Sequence, residues 1–305
     1  MDTSATVRDE LGRAVRSDRV PDGAASSGTR PGDTKNPTFA VRGRRQASLL
    51  RIRGELGLGW KIGLGATGVA VFITVWAVKA AMMNKPSVLP TPAATWSALL
   101  DLKSNGILGT DLWASLQRVL IGYSVSVAIG IVVGIAIGAF ASVEAFFEAQ
   151  IGFLRYIPAT ALTPVFLLWL GLDEPPKLWL IIIGTVFFNI LMIADVARAV
   201  PRELLNASYT LGAGRVTVLR RVIMRHSVPG IIDVARINLA AAWLMLVVAE
   251  ILAADKGLAY QVVRAQRFRA VDKMFAILVV FGVIGLISDV FLRWLRNVSS
   301  PWARP

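Results

Sequence analysis

The sequence predicts an all-α membrane protein with about six transmembrane helices, and three observations carry that prediction. Its 305 residues are 55% hydrophobic with a mean hydropathy of +0.59, too apolar for an ordinary soluble domain. Apolar runs of about 20 residues, the helical length that crosses a bilayer core, recur along the chain. The net charge of +13 lies largely between those runs, where the positive-inside rule puts it, and not in an aromatic-interleaved patch of the kind that binds nucleic acid.

Residues 1–45 are rich in Ser, Gly, Pro, Asp and Arg and poor in large apolar groups, which predicts a disordered tail. The opening segment lacks the apolar run of a cleaved signal peptide. Residues 46–61 predict an interfacial helix leading into a first span at about 62–83. In the following segment, 84–111, Pro86, Pro90 and Pro92 precede Trp96, Leu99 and Leu100. That order predicts extended chain, then a short surface helix capped by Thr91 or Thr95. The second span, about 112–140, carries Gly130, Gly134 and Gly138 at four-residue spacing. This flat stripe lets a neighbouring helix approach closely and marks packing positions.

The third span, about 144–170, is interrupted by Pro158 and Pro164, each predicted to kink or break the helix. In lipid the freed carbonyls need neighbours or a watery cavity, so Arg155, Pro158, Thr160, Thr163 and Pro164 are pathway candidates. The alternative is a structural bend with Arg155 reaching to the cytosolic interface. A fourth span covers about 177–197. Between it and a fifth, about 230–253, lies a polar island, Arg198 to Val228, with Arg198, Arg202, Arg215, Arg220, Arg221 and Arg225 against the single acid Glu203. Leu204, Ala207 and Leu211, then Val216, Leu219, Val222 and Ile223, keep helical spacing through it, which predicts an amphipathic docking surface.

A last span at about 273–295 precedes a short tail, 298–305. Six basic residues between 36 and 61 (42, 44, 45, 51, 53, 61), against Glu55, orient the N-terminus to the cytoplasm. An even span count returns the C-terminus and places the polar island on that same side. Residues 254–273 then fall outside, although Lys256, Arg264, Arg267, Arg269 and Lys273 are basic. Leu258, Val262, Ala265 and Phe268 predict a short amphipathic helix there. Glu250, just before it, either lines the outer end of a pathway or pairs with Arg264 or Arg267. Arg118, Asp195, Asp233, Arg236 and Asp289 complete the few ionisable residues in or near spans, too sparse a set for a proton relay.

No cysteine is present and His226 is the only histidine, so one chain cannot assemble a thiolate or histidine metal cluster. GxxxxGK[ST], GxSxG and HExxH patterns do not occur. Nothing in the chain supports catalysis of its own, so it is not expected to be an enzyme.

The polar island resembles the EAA loop of ABC-importer permeases, whose pattern is EAA, three residues, Gly, nine residues, I-x-L-P. Gly212 matches the glycine and Val222 the isoleucine, while EAA falls on Asn206, Ala207 and Ser208 and L-P on Met224 and Arg225. The Glu and Pro are therefore missing, which marks a divergent loop and implies a dedicated ATPase partner. The segments LPTPAATW, LRYIPATALTPVFLLWLGL, AEILAADKGLAYQVVRAQRF and FAILVVFGVIGLISDVFLRWL are similar to the nitrate, sulfonate, taurine and bicarbonate importer permeases, over about residues 60–295.

That resemblance implies a type I importer permease fold in the bacterial cytoplasmic membrane, with both termini cytosolic. It implies a homodimer of permeases, two ATPase subunits that hold ATP and Mg, and a periplasmic or lipid-anchored solute-binding protein. The chain itself holds no cofactor, and its solute is a small anion. Asn206 to Val216 become the coupling helix, with Asn206, Ala207, Ser208, Leu211, Gly212, Ala213, Gly214 and Arg215 meeting the ATPase and Gly212 allowing the turn. Arg220, Arg221 and Arg225 are assigned to lipid headgroups. Two other classes stay open: a secondary transporter driven by an ion gradient, for which no internal repeat is visible, and a membrane scaffold without transport.

Overall fold

A backbone that cannot reach water must bond to itself, so apolar runs of bilayer length fold as helices. The computed structural model describes residues 57–303, and they form α1 (Leu58–Met83), α2 (Pro92–Ser104), α3 (Ile107–Ala139), α4 (Ala141–Leu154), α5 (Thr163–Leu170) and α6 (Glu174–Arg198). These are followed by α7 (Arg202–Thr210), α8 (Arg215–Ala253), α9 (Leu258–Arg267) and α10 (Val271–Ser299). No strand occurs among the described residues. The predicted tail 1–45 and residues 46–56 lie outside them. Residues 58–61, assigned to an interfacial helix, are instead the first turn of α1. Two units divide the chain, Met1–Lys61 and Ile62–Pro305, and nearly everything described belongs to the second.

Five of these helices are long and apolar enough to cross a membrane, or six if the bent pair Ala141–Leu154 and Ala159–Leu170 is one span. The most buried is α6, which packs along α3. The glycine stripe of α3 explains how close that approach is. A Cβ added at Gly134 would stand 2.7 Å from the carbonyl oxygen of Ile190, and one at Gly138 2.5 Å from that of Ala194. At Gly130 it would meet the Cβ of Asn189 at 2.9 Å. Any side chain there would force the two backbones apart.

Buried polar groups tie the same helices together. Thr185 Oγ1 donates to Ser126 Oγ at 2.8 Å and Asn189 Nδ2 donates to it at 2.9 Å. Asn238 Nδ2 of α8 donates to Asn189 Oδ1 at 2.8 Å. Apolar contacts surround this cluster, with Ile181, Ala242 and Leu246 wholly buried. The first helix buries far less. Trp76 anchors it by donating Nε1 to the Pro90 carbonyl at 3.0 Å and by stacking on Phe275, while Val69, Phe72 and Val75 face outward.

The two prolines of the third span act differently. Helix α4 stops at Leu154, four residues before Pro158, whose ring would clash with that carbonyl and whose nitrogen cannot bond to it. Pro164 breaks nothing: it sits in the first turn of α5, where its missing N–H has no helical partner to lose. The axis turns by 77° between the two pieces. In α2 the capping residue is Thr91, whose Oγ1 accepts from Ala94 N at 3.2 Å.

Candidate functional site

The polar island folds as helix, turn, helix, but not with the predicted bounds. Its first helix is Arg202–Thr210 and not Asn206–Val216. Gly212, at φ +79°, ends it, because few side chains tolerate that backbone. The Gly212 N–H bonds to the Tyr209 carbonyl at 2.9 Å and Ala213 N–H to the Ser208 carbonyl at 3.0 Å, the paired bonds of a Schellman cap. Arg215 then opens α8, which runs unbroken into the fifth span through a π-helical stretch, Val218–Ile223.

Of the predicted coupling residues, Asn206, Ala207 and Ser208 lie in α7, Leu211, Gly212, Ala213 and Gly214 form the turn, and Arg215 follows it. They are consecutive in space as in sequence. The inner side of this unit is clamped: Leu205, Leu219 and Val222 pack on a buried cluster that includes Ile193, Val200, Ile223 and Val234. The outer side carries Leu204, Tyr209, Val216 and Leu211, the last 88% exposed. A surface leucine held on a capped, core-anchored turn can take up a force and pass it to α6 and α8 as one body.

At the opposite end, where α8 finishes, Arg118, Lys177 and Glu250 are buried, while Glu174 is half exposed. Arg118 is 3% exposed and makes four hydrogen bonds through its guanidinium. Nε and Nη2 donate to the two oxygens of Glu174, each at 2.7 Å, and Nη1 donates to Glu250 Oε1 and the Lys256 carbonyl, each at 2.8 Å. Glu250 is 0% exposed and also accepts from Ser115 Oγ at 2.6 Å and Ala259 N at 2.9 Å. Asp111 accepts from Gly257 N at 2.8 Å and Gln261 Nε2 at 2.7 Å, and Leu258 N donates to Ser115 Oγ at 2.8 Å. Gly257 is required here on two counts: its φ is +135°, and a Cβ would stand 2.4 Å from the Glu250 carboxyl carbon.

This geometry corrects the reading of Glu250. Its partner is Arg118, not Arg264 or Arg267, and its carboxylate is a structural tie between α3, α8 and the start of α9. Glu250 also borders a cavity of about 840 Å³, with Ile251, Leu252, Tyr260, Arg264 and Arg267, as the pathway-lining alternative expects. Helix α9 buries Leu258 and Ala265 as their spacing predicts, but Phe268 lies past the helix end and is exposed.

The remaining pathway candidates gather at the 77° break, apart from the Glu250 ties. Arg155, Pro158, Thr160 and Pro164 are exposed; Thr163 is buried and donates Oγ1 to the Thr160 carbonyl at 2.8 Å. The Arg155 guanidinium lies 4.8 Å from the Tyr156 ring centroid and bonds to its hydroxyl at 3.0 Å. Ala159 and Leu162 pack against Phe166, Leu180 and Ala249, so the break is seated on α6 and α8.

Residues 126–297 match the family described as the binding-protein-dependent transport system inner membrane component. The chain belongs to this family. Among its permease relatives, a probable ABC transporter permease of Brucella melitensis is 35% identical over 79% of this chain and 97% of its own length. The taurine transport system permease TauC of Escherichia coli is 32% identical over 83% of this chain and 94% of its own. The putative aliphatic sulfonates transport permease SsuC of Bacillus subtilis is 31% identical over 82% and 90%. In fold the permease is similar to an inward-facing structure of the MetNI methionine ABC transporter, with a TM-score of 0.53 and 19% identity over 62% of this chain and 96% of that one. This chain is thus a multi-pass membrane permease with a type I importer fold, and the scaffold and ion-gradient classes fall away.

Several residues of the permease escape a reading by sequence. Glu174, Asp111, Ser115 and Gln261 were not singled out. A signal existed for two of them: Asp111, Ser115 and Arg118 recur at i, i+4 and i+7, one polar stripe on an apolar helix. Glu174 and Gln261 reach the site only through the fold.

Proposed function

We propose that this chain forms the transmembrane pathway of an ATP-driven importer and that α7 with the Gly212 turn docks a separate ATPase subunit. The observation that carries this reading is the two-sided build of the turn, clamped inside by Leu205, Leu219 and Val222 and apolar outside at Leu204, Leu211 and Val216. ATP and Mg are held by the ATPase, and closure of an ATPase pair pushes on Leu211. Because α8 is one helix from Arg215 to Ala253, a push at its start moves its whole length.

Two copies of the chain, two ATPases and an external binding protein make up the assembly. The N-terminus and the α7 side face the cytoplasm, in keeping with the basic residues of 36–61 and 198–228. The solute is a small anion of the sulfonate, taurine, nitrate or bicarbonate kind. Relatives named for taurine, aliphatic sulfonates and nitrate support that class. Arg155 at the break and Arg264 and Arg267 at the outer cavity supply positive charge to attract it.

Uptake of labelled taurine, an alkanesulfonate and nitrate into proteoliposomes holding the chain, its ATPase and its binding protein tests the reading. Expected are ATP-dependent uptake of one of the three and its loss in L211D. Full-rate uptake without ATP or ATPase would overturn it.

A further inference from the structure

We propose that a recess beside α7 is a binding site for an anionic phosphate group. It is an open hollow of about 380 Å³, walled by Leu204 and Ser208 of α7, Arg221, Arg225 and His226 of α8, and Trp302 of the turn Pro301–Ala303. Arg221 and Arg225 stand one helical turn apart and share a face, where like charges repel. Among the described residues no carboxylate lies within ion-pairing distance of either.

Among the described residues Arg202, Arg215 and Arg220 of the polar island also have no acidic partner, but only Arg221 and Arg225 line this recess. Arg198, Arg236 and Arg293, at the same end of the bundle, each have an acidic partner. Among the described residues the cations at the recess lack a counter-ion, and the turn Pro301–Ala303 brings Trp302 to them. The Arg225 guanidinium lies 5.5 Å from the Trp302 ring centroid, which fixes the plane of its donor fork while leaving its edge free. Two guanidinium forks and an imidazole around an open hollow match a tetrahedral, multiply accepting anion better than a single carboxylate.

The phosphate can come from an anionic phospholipid headgroup or from solution. In either case the bound group bridges α7 and α8 across the Gly212 turn and stiffens it. The site rests on side-chain placement alone, and its test needs neither ATP nor transport, so it stands or falls separately from the importer reading.

The test uses the purified full chain in a neutral detergent, with thermal unfolding and native mass spectrometry as readouts. Short-chain phosphatidylglycerol, the matching phosphatidylcholine and inorganic phosphate are titrated separately. A ligand bound only by the folded state raises the melting temperature with concentration. Phosphatidylglycerol is expected to do so and phosphatidylcholine not, with apparent affinity at least tenfold weaker in R221A/R225A and unchanged in K103A, at an exposed lysine of α2. R221K/R225K, which keeps the charge but loses the forks, should fall between. An equal response to inorganic phosphate assigns the site to a soluble anion. Response to neither phosphate source, or a response that R221A/R225A leaves intact, overturns the proposal.

Discussion

The two ends of the helical bundle handle charge in opposite ways. Where α8 finishes, Arg118, Glu174, Lys177 and Glu250 form a closed set of two cations and two anions, with Asp111 and Ser115 binding the backbone of 257–258. Where α8 begins, Arg236 pairs with Asp289 at 3.3 Å, and among the described residues Arg221 and Arg225 have no acidic partner. Burying a charge is costly unless every donor and acceptor is met, so the first end must be complete within the chain. At the second end Arg198, Arg236, Arg293 and Arg296 are paired, while the exposed Arg221 and Arg225 have no acidic partner among the described residues. Completeness marks a fixed joint, and the incomplete end is the one at which the proposed anion and ATPase would bind.

The contrast is broken most severely at the fixed joint. R118A leaves Glu250 buried without its cation and should destabilise the protein by about 3–5 kcal/mol, read by thermal unfolding in detergent. G257A drives a methyl group into the Glu250 carboxylate and should cost about 1–3 kcal/mol by the same measurement. At the open end, G212V places a β-branched residue at positive φ and should cost about 1–2 kcal/mol, with a larger fall in ATP-driven uptake. L211D sharpens the comparison most, because its stability change should stay within about 0.5 kcal/mol while uptake falls at least tenfold. A stability loss in L211D comparable to that of R118A would erase the distinction between the two ends.

The smallest effect is expected at Asp101 of α2, whose carboxyl the Lys273 ammonium, 2.7 Å away, holds below its ordinary value of 3.8. A folded-state value below the unfolded one means that the pair's contribution is present above the unfolded value and is lost as pH falls through the folded one. Acidification below about pH 4 should therefore lower the melting temperature slightly more in the wild type than in D101N.

Much of the architecture was legible because membrane helices obey local rules. Length and hydropathy locate α1, α3, α6, α8 and α10, and Thr91 is a cap by its chemistry. Pro158 ends α4 because a full helical turn precedes it. Pro164 was misjudged because a proline's effect depends on whether a turn precedes it, and Pro158 had already ended that turn. The coupling helix begins four residues and ends six residues earlier than predicted for a related reason: apolar spacing continues across the expected turn at Gly212, and only the Schellman bonds show that the helix stops there.

By itself, then, the sequence determined the helical membrane class, the glycine stripe and the turn at Gly212, each of which depends on residues near one another in the chain. Tertiary structure alone decided that Glu250 answers to Arg118 from 132 residues away, and that Trp302 returns to Arg225. A buried charge requires a partner but does not specify which one. That choice depends on which helices the packing of α3 on α6 brings together.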